Sequence, residues 1–205
     1  HPQIRLFNVP GHTIAPVRQE KGAGQWQTCS PQTVAGFSAV GYYFGRRLQK
    51  DLDVPIGLVG SNWGGTRIEP WCSPESFSKV DELKGIADQV AKYTNDTKLN
   101  QQPSAIFNSM VSPLAPFAMR GAIWYQGESN GGEGMSYYHK KKALVQGWRD
   151  LFNEDLGFYW VQLANFRAPN ENPEGGDGWA KIREAQRLAA KDIPHTGMAV
   201  IIDIG

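Results

Sequence analysis

Residues 121–130 read Gly-Ala-Ile-Trp-Tyr-Gln-Gly-Glu-Ser-Asn, an apolar run that stops abruptly on Gln126, Gly127, Glu128, Ser129 and Asn130. Gly, Ser and Asn are turn residues, so the pattern is a buried strand emerging into a loop. In an α/β fold the carboxyl ends of such strands are where ligands bind. This loop gathers an amide, a carboxylate and a hydroxyl, more polar chemistry than a plain connection needs. Residues 54–66 repeat the pattern, with Val54-Pro-Ile-Gly-Leu-Val-Gly breaking into Ser61-Asn-Trp-Gly-Gly-Thr66. The paired Gly64 and Gly65 let a backbone approach a ligand and leave N–H groups to donate. No Lys-Ser or Lys-Thr follows, so the segment lacks the signature of a phosphate-binding P-loop.

Around these two segments strands alternate with helices. Ile4 to Val9 reads as a strand, followed by a loop through Gln27. Ser30-Pro31 has the cap and first-position chemistry of a helix start. Val34, Phe37, Gly41, Phe44, Leu48 and Leu52 then mark one face of a helix. Val54–Val59 reads as a strand covered on both faces. Residues 73–102 read as a polar, helical, peripheral excursion. After the strand over 121–125 comes a helix faced by Tyr137, Lys141, Leu144, Val145, Trp148, Leu151 and Phe152, with Lys140 to Lys142 leaning outward. A strand over 157–163, a polar loop over 168–178, a helix with Trp179, Ile182, Ala185 and Ala189 on one side, and a strand over 198–204 complete the chain. This order predicts a three-layer α/β/α fold with a mainly parallel sheet.

A chain of 205 residues with 40% hydrophobic content fits one such domain, 1–205. A net charge of +1 argues against nucleic acid or an anionic membrane as partner. No apolar run approaches a membrane span. Cys29 and Cys72 lack metal-type spacing and are expected as free buried thiols rather than a disulfide. His1, His12 and His139 have no ligand-spaced neighbours, so no metal site is expected. Asn95-Asp96-Thr97 is a formal glycosylation sequon.

Ser61-Asn62-Trp63-Gly64-Gly65-Thr66 with Glu69 and Trp71, and Ile123-Trp124-Tyr125-Gln126-Gly127-Glu128-Ser129-Asn130, together resemble the sialate O-acetylesterase family. Cys29-Ser30-Pro31, Phe158 to Leu163, Arg183-Glu184-Ala185-Gln186 and Gly197 to Gly205 fit it too. The resemblance implies an SGNH-type, flavodoxin-like serine esterase, related to acetylxylan esterases, that removes acetyl groups from sialic acid or plant polysaccharide. It implies no cofactor, an acetylated carbohydrate as partner and an exported location; oligomeric state stays open. The family's nucleophile block, Gly-Gln-Ser-Asn-Met, and its Asp/His block are both missing from this sequence. The chain is therefore expected to be incomplete at both ends.

What the resemblance leaves for these residues is an oxyanion hole and substrate contacts. The N–H of Gly64 or Gly65 and the Gln126 amide match the family's oxyanion donors. Glu128 is expected to anchor its loop by accepting N–H bonds, and with Trp63 and Arg67 to face the substrate. Trp63, Trp71, Trp124 and Tyr125 are candidates for stacking on sugars, with core packing the competing role for Trp124 and Tyr125. Ser61 is the runner-up nucleophile: it follows a strand, but the Gly-x-Ser-x-Gly elbow is not met. Asp192 and His195 precede the last strand and read as a helix-to-strand loop. Two other functions stand beside the esterase: a non-catalytic sugar-binding or scaffold fragment, and an esterase acting on lipids or small acyl esters.

Overall fold

Along Ile4–Asn8, Ile4 and Leu6 are buried on one face of a strand, while Phe7, on the face it shares with the exposed Arg5, is buried against Trp26 with ring centroids 5.3 Å apart. This strand, β1, sits at the centre of the first of two sheets in the computed structural model, which describes residues 1–94, 100–166, 168, 171–172 and 178–204. The chain divides into two compact units, His1–His12 with Glu20–Gly64 and Thr13–Gln19 with Gly65–Gly205.

In the first unit β1 pairs antiparallel with β2 (Trp26–Thr28) and parallel with β3 (Ile56–Gly60). The sequence placed residues 26 and 27 in a loop; all three residues of β2 are exposed, so no alternation of burial marks it. The helix start at Ser30 is as expected: its Oγ accepts from the Thr33 N–H at 3.3 Å and Pro31 opens α1 (Pro31–Val34). The single helix predicted from there is instead two. Ser38 caps a new helix, α2 (Ala39–Leu52), by accepting from the Gly41 N–H at 3.1 Å. Val34 and Phe37 still pack on the core of Ile4, Leu6 and Cys29. The restart turns the stripe, and α2 seats through Gly41 and Gly45, leaving Phe44 and Leu52 exposed. A Cβ at Gly45 would lie 2.7 Å from Leu58, so only glycine lets this helix approach β3 so closely.

In the second unit β4 (Gly121–Trp124), β5 (Gly157–Val161) and β6 (Thr196–Ala199) form a wholly parallel sheet in that order. The last strand begins earlier than predicted and stops at Ala199. Two helices serve this sheet, α5 (Ser136–Phe152) and α6 (Gly178–Asp192), the latter burying Ile182, Ala185 and Ala189 as its periodicity predicts. Trp148 of α5 meets Trp124 and Phe158 edge-on, with ring centroids 6.1 and 5.7 Å apart. The other face of the sheet presents Ile123, Tyr125 and Tyr159 exposed, so within this unit Tyr125 is not core. The 73–102 excursion is helical, with α3 (Pro74–Ser78) and α4 (Lys84–Val90), but it is not peripheral: Phe77 and Leu83 are buried. Nor do Lys140 and Lys141 lean outward; both are buried, and of the three lysines only Lys142 is exposed. Cys29 and Cys72 are free and buried. The Asn95-Asp96-Thr97 sequon and most of the 168–178 loop lie outside the described residues. Among the described residues no helix is long and apolar enough to cross a membrane.

Candidate active site

Gln126 leaves the carboxyl end of β4 and turns inward, 9% exposed. Gly127 makes that turn possible: its φ is +152°, and a Cβ there would lie 3.0 Å from Leu163. The chain then closes a 3₁₀ turn over Glu128–Asn130, and Asn130 becomes wholly buried.

Asn130 uses every hydrogen-bonding position an amide has. Its Oδ1 accepts from Gln126 Nε2 at 2.7 Å and from the Ile68 N–H at 3.0 Å. Its Nδ2 donates to Glu69 Oε2 and Glu133 Oε2, both at 3.0 Å. Behind those carboxylates stands Lys140 of α5, whose Nζ donates to Glu69 Oε1 at 2.6 Å and also to Glu133. Arg67 closes the group, 3.0 Å from Glu69 Oε1 and paired with Glu133. Two cations and two carboxylates thus balance, Lys140 and Glu69 buried and Arg67 at the solvent edge, and such pairing is the condition under which buried charges persist. Burial opposes ionisation of Glu69, but Lys140 and the Asn130 amide outweigh it and hold the carboxyl below its ordinary range.

Gln126 is held from both ends. Its Nε2 donates to Thr66 O at 3.1 Å as well as to Asn130, so both amide hydrogens are engaged. Its Oε1 accepts from the Tyr137 hydroxyl at 2.9 Å. Burial raises the Tyr137 pKa far above its ordinary value, so the hydroxyl remains a donor. Gln186 of α6 donates to the Gln126 carbonyl at 3.3 Å. The Gly65 carbonyl accepts from Ser129 Oγ at 2.9 Å and Gln101 Nε2 at 3.0 Å, which ties the glycine loop to the Gln126 loop. Gly65 itself has φ +74°, with open space where a side chain would start.

Residues 16–203 match the family model described as carbohydrate esterase, sialic acid-specific acetylesterase. The chain belongs to this family. It is 32% identical over 178 residues to the sialate O-acetylesterase of Homo sapiens, and 28% identical over 200 residues to that of Mus musculus. Each alignment covers 82% of this chain; they cover 33% and 37% of the relatives. A solved carbohydrate acetylesterase from Xanthomonas citri superposes with TM-score 0.83 at 37% identity, over all of this chain and 44% of that one. The chain therefore spans about a third of the length of the curated relatives it matches.

Within this sialic acid-specific acetylesterase family member, the residues singled out from sequence fall into three groups. Gln126, Gly65 and Arg67 converge on the second unit's loop cluster. Glu128 does not anchor that loop: it is exposed, and among the described residues its carboxylate receives no hydrogen bond. The anchoring carboxylate is Glu69, 5% exposed, which the sequence displayed only as part of the 61–71 block. Trp71 is buried, 5.8 Å from Trp124 and at 83° to it, with its Nε1 donating to Thr66 Oγ1, so both indoles pack rather than stack on ligand. Ser61, Trp63 and Gly64 lie in the first unit, where Trp63 stacks on His12 at 4.6 Å and 11°. His195 and Asp192 are not partners: His195 pairs with Asp155, and Asp192 accepts from Tyr138 at 2.8 Å. Asp155 and His195 sit at the amino ends of β5 and β6, the opposite end of the sheet from Gln126.

Proposed function

We propose that the protein carrying this chain is a carbohydrate O-acetylesterase, a serine hydrolase whose oxyanion hole is built from the Gly65 turn and Gln126. The observation that carries this reading is the Gln126 amide, fixed at the carboxyl end of a parallel strand and tied through Ser129 to the Gly65 turn, in a chain of this family. When a serine attacks an acetyl ester, negative charge develops on the former carbonyl oxygen. A neutral donor held beside that oxygen stabilises the charge, worth roughly 2.7–4 kcal/mol per donor. Gln126 supplies one by exchanging its bond to Thr66 O, the longer of its two, for the oxyanion. An N–H of the glycine turn supplies another. Tyr137 and Asn130 keep the amide from swinging away meanwhile. An O-acetylated sialic acid is the first substrate to test, since the relatives carry that name; the exposed Glu128 and Tyr125 are its candidate contacts.

The test uses the full-length protein with an aryl acetate, an O-acetylated sialic acid and acetylated xylan. Gln126→Ala is expected to lower kcat by about 10²-fold with little change in KM. Failure of the wild type to release acetate from any of the three refutes the reading. Preference for long acyl chains moves it to the lipid-ester alternative.

A further inference from the structure

Resting on the esterase reading, we propose that Lys140 is a positioning residue for Gln126: the buried charge group it completes decides which way two amide side chains point. An amide is asymmetric, a donor at one end and an acceptor at the other. Glu69 and Glu133 both present acceptors to Asn130, so its NH₂ end must face them. Its oxygen is thereby turned toward Gln126 and the Ile68 N–H. That oxygen in turn demands the NH₂ end of Gln126, and Tyr137 takes the other end. The donor end of Gln126, the end an oxyanion needs, is thus selected two hydrogen bonds away by ionised carboxylates.

Lys140 is what lets both carboxylates stay ionised so close together. It bridges Glu69 and Glu133 from α5, whereas Arg67 approaches them from the loop side with a side chain 39% exposed. Among the described residues the remaining titratable group facing Glu69 is the buried Cys72 thiol, neutral because burial pushes its pKa up. Removing Lys140 leaves one positive charge against two negative ones. The pair then holds a proton between them, as close carboxylates do. A protonated carboxyl presents a donor to Asn130, and the amide is free to turn over. At higher pH the pair loses that proton and repels itself apart. Either way the orientation signal weakens, most where the excess charge is unrelieved.

The experiment compares wild type, Lys140→Met and the charge-balanced Lys140→Met/Glu133→Gln in the full-length protein. Misplacing one donor by about 1 Å costs on the order of 10²-fold. Lys140→Met is expected to lose kcat on that scale at pH 8 with KM within about twofold, and the variant-to-wild-type ratio of kcat is expected to rise as pH falls toward 5. The double variant, neutral again with Arg67 facing Glu69, is expected to recover most of the loss. A ratio flat with pH, or no recovery in the double variant, shows Lys140 to be merely structural and overturns the proposal. Crystal structures of wild type and Lys140→Met decide the same question without activity: the Gln126 Nε2 to Asn130 Oδ1 bond is expected to be lost at pH 8 in the variant. An intact bond there overturns the positioning role. An inactive wild type with the bond lost in the variant refutes the esterase reading alone.

Discussion

Lys140 and Lys141 are adjacent on α5, both buried, and their situations are opposite. Lys140 meets two carboxylates; Lys141 meets rings, its Nζ 4.8 Å from the Trp160 centroid, 5.3 Å from Trp124 and 5.6 Å from Tyr137. Among the described residues no acceptor reaches that amine, and burial drives its pKa well below the ordinary lysine value. Cation–π contacts recover part of the lost hydration but do not replace a hydrogen bond. Lys141→Met, nearly the same in length, is expected to stabilise the fold by about 1–3 kcal/mol at neutral pH in urea denaturation. The sign of the pH effect follows from the depressed pKa. Between that folded value and about 10.4 the unfolded chain binds the extra proton, so wild-type stability rises with pH across the window. The methionine variant lacks that rise, and an equal slope in both proteins would show Lys141 to be solvated. The periodicity of α5 put Lys141 on the apolar stripe, yet a run of three lysines reads as a solvated face. Only the folded contacts separate the lysine that needs a carboxylate from the one among indoles and the one in water.

Among the elements, the 3₁₀ turn after β4 is the most demanding. Gly127 combines a backbone angle unsuited to L side chains with a Leu163 side chain that a methyl would crowd at 3.0 Å. Gly127→Ala is expected to cost about 1–3 kcal/mol and to lower kcat, because it moves Gln126 and Asn130 together; a thermal midpoint equal to wild type argues against it. The strand ending on Gln126, the Ser30 cap and the stripe of α6 were legible because each is a local pattern. The restart at Ser38 was not: a serine in mid-helix caps or continues according to what packs beside it. Strand β2 was hidden because three exposed residues have no periodicity to show. The candidate site divides in the same way. Gln126 and the two glycines announce themselves at strand ends. Asn130, Glu69 and Lys140 become a group only when segments about 60 and 70 residues apart meet, and nothing local pairs them.

At the scale of the whole molecule, 21 basic and 20 acidic residues nearly cancel at pH 7, so long-range charge contributes little to stability near neutrality. Four described carboxyls are held below their ordinary range: Glu69, Asp81, Asp150 and Glu184. Asp81, Asp150 and Glu184 have side chains 88%, 38% and 46% exposed, and water and salt screen such pairs to little. Glu69, at 7%, is the buried one. Its folded pKa lies below the unfolded value of about 4.3, so its stabilisation is complete above that value and is lost as pH falls through the folded one. The thermal midpoint is therefore expected to change little between pH 7 and about 5, then to fall steeply below about 4.3. Glu69→Gln keeps the shape, and is expected to be less stable at pH 7 because Lys140 loses a partner. Its acid slope is expected to be distinctly shallower, since the group that must be protonated is gone. Thermal unfolding of both proteins from pH 3 to 7 decides the matter, and parallel acid slopes would mean that the buried charge group does not govern how this chain comes apart.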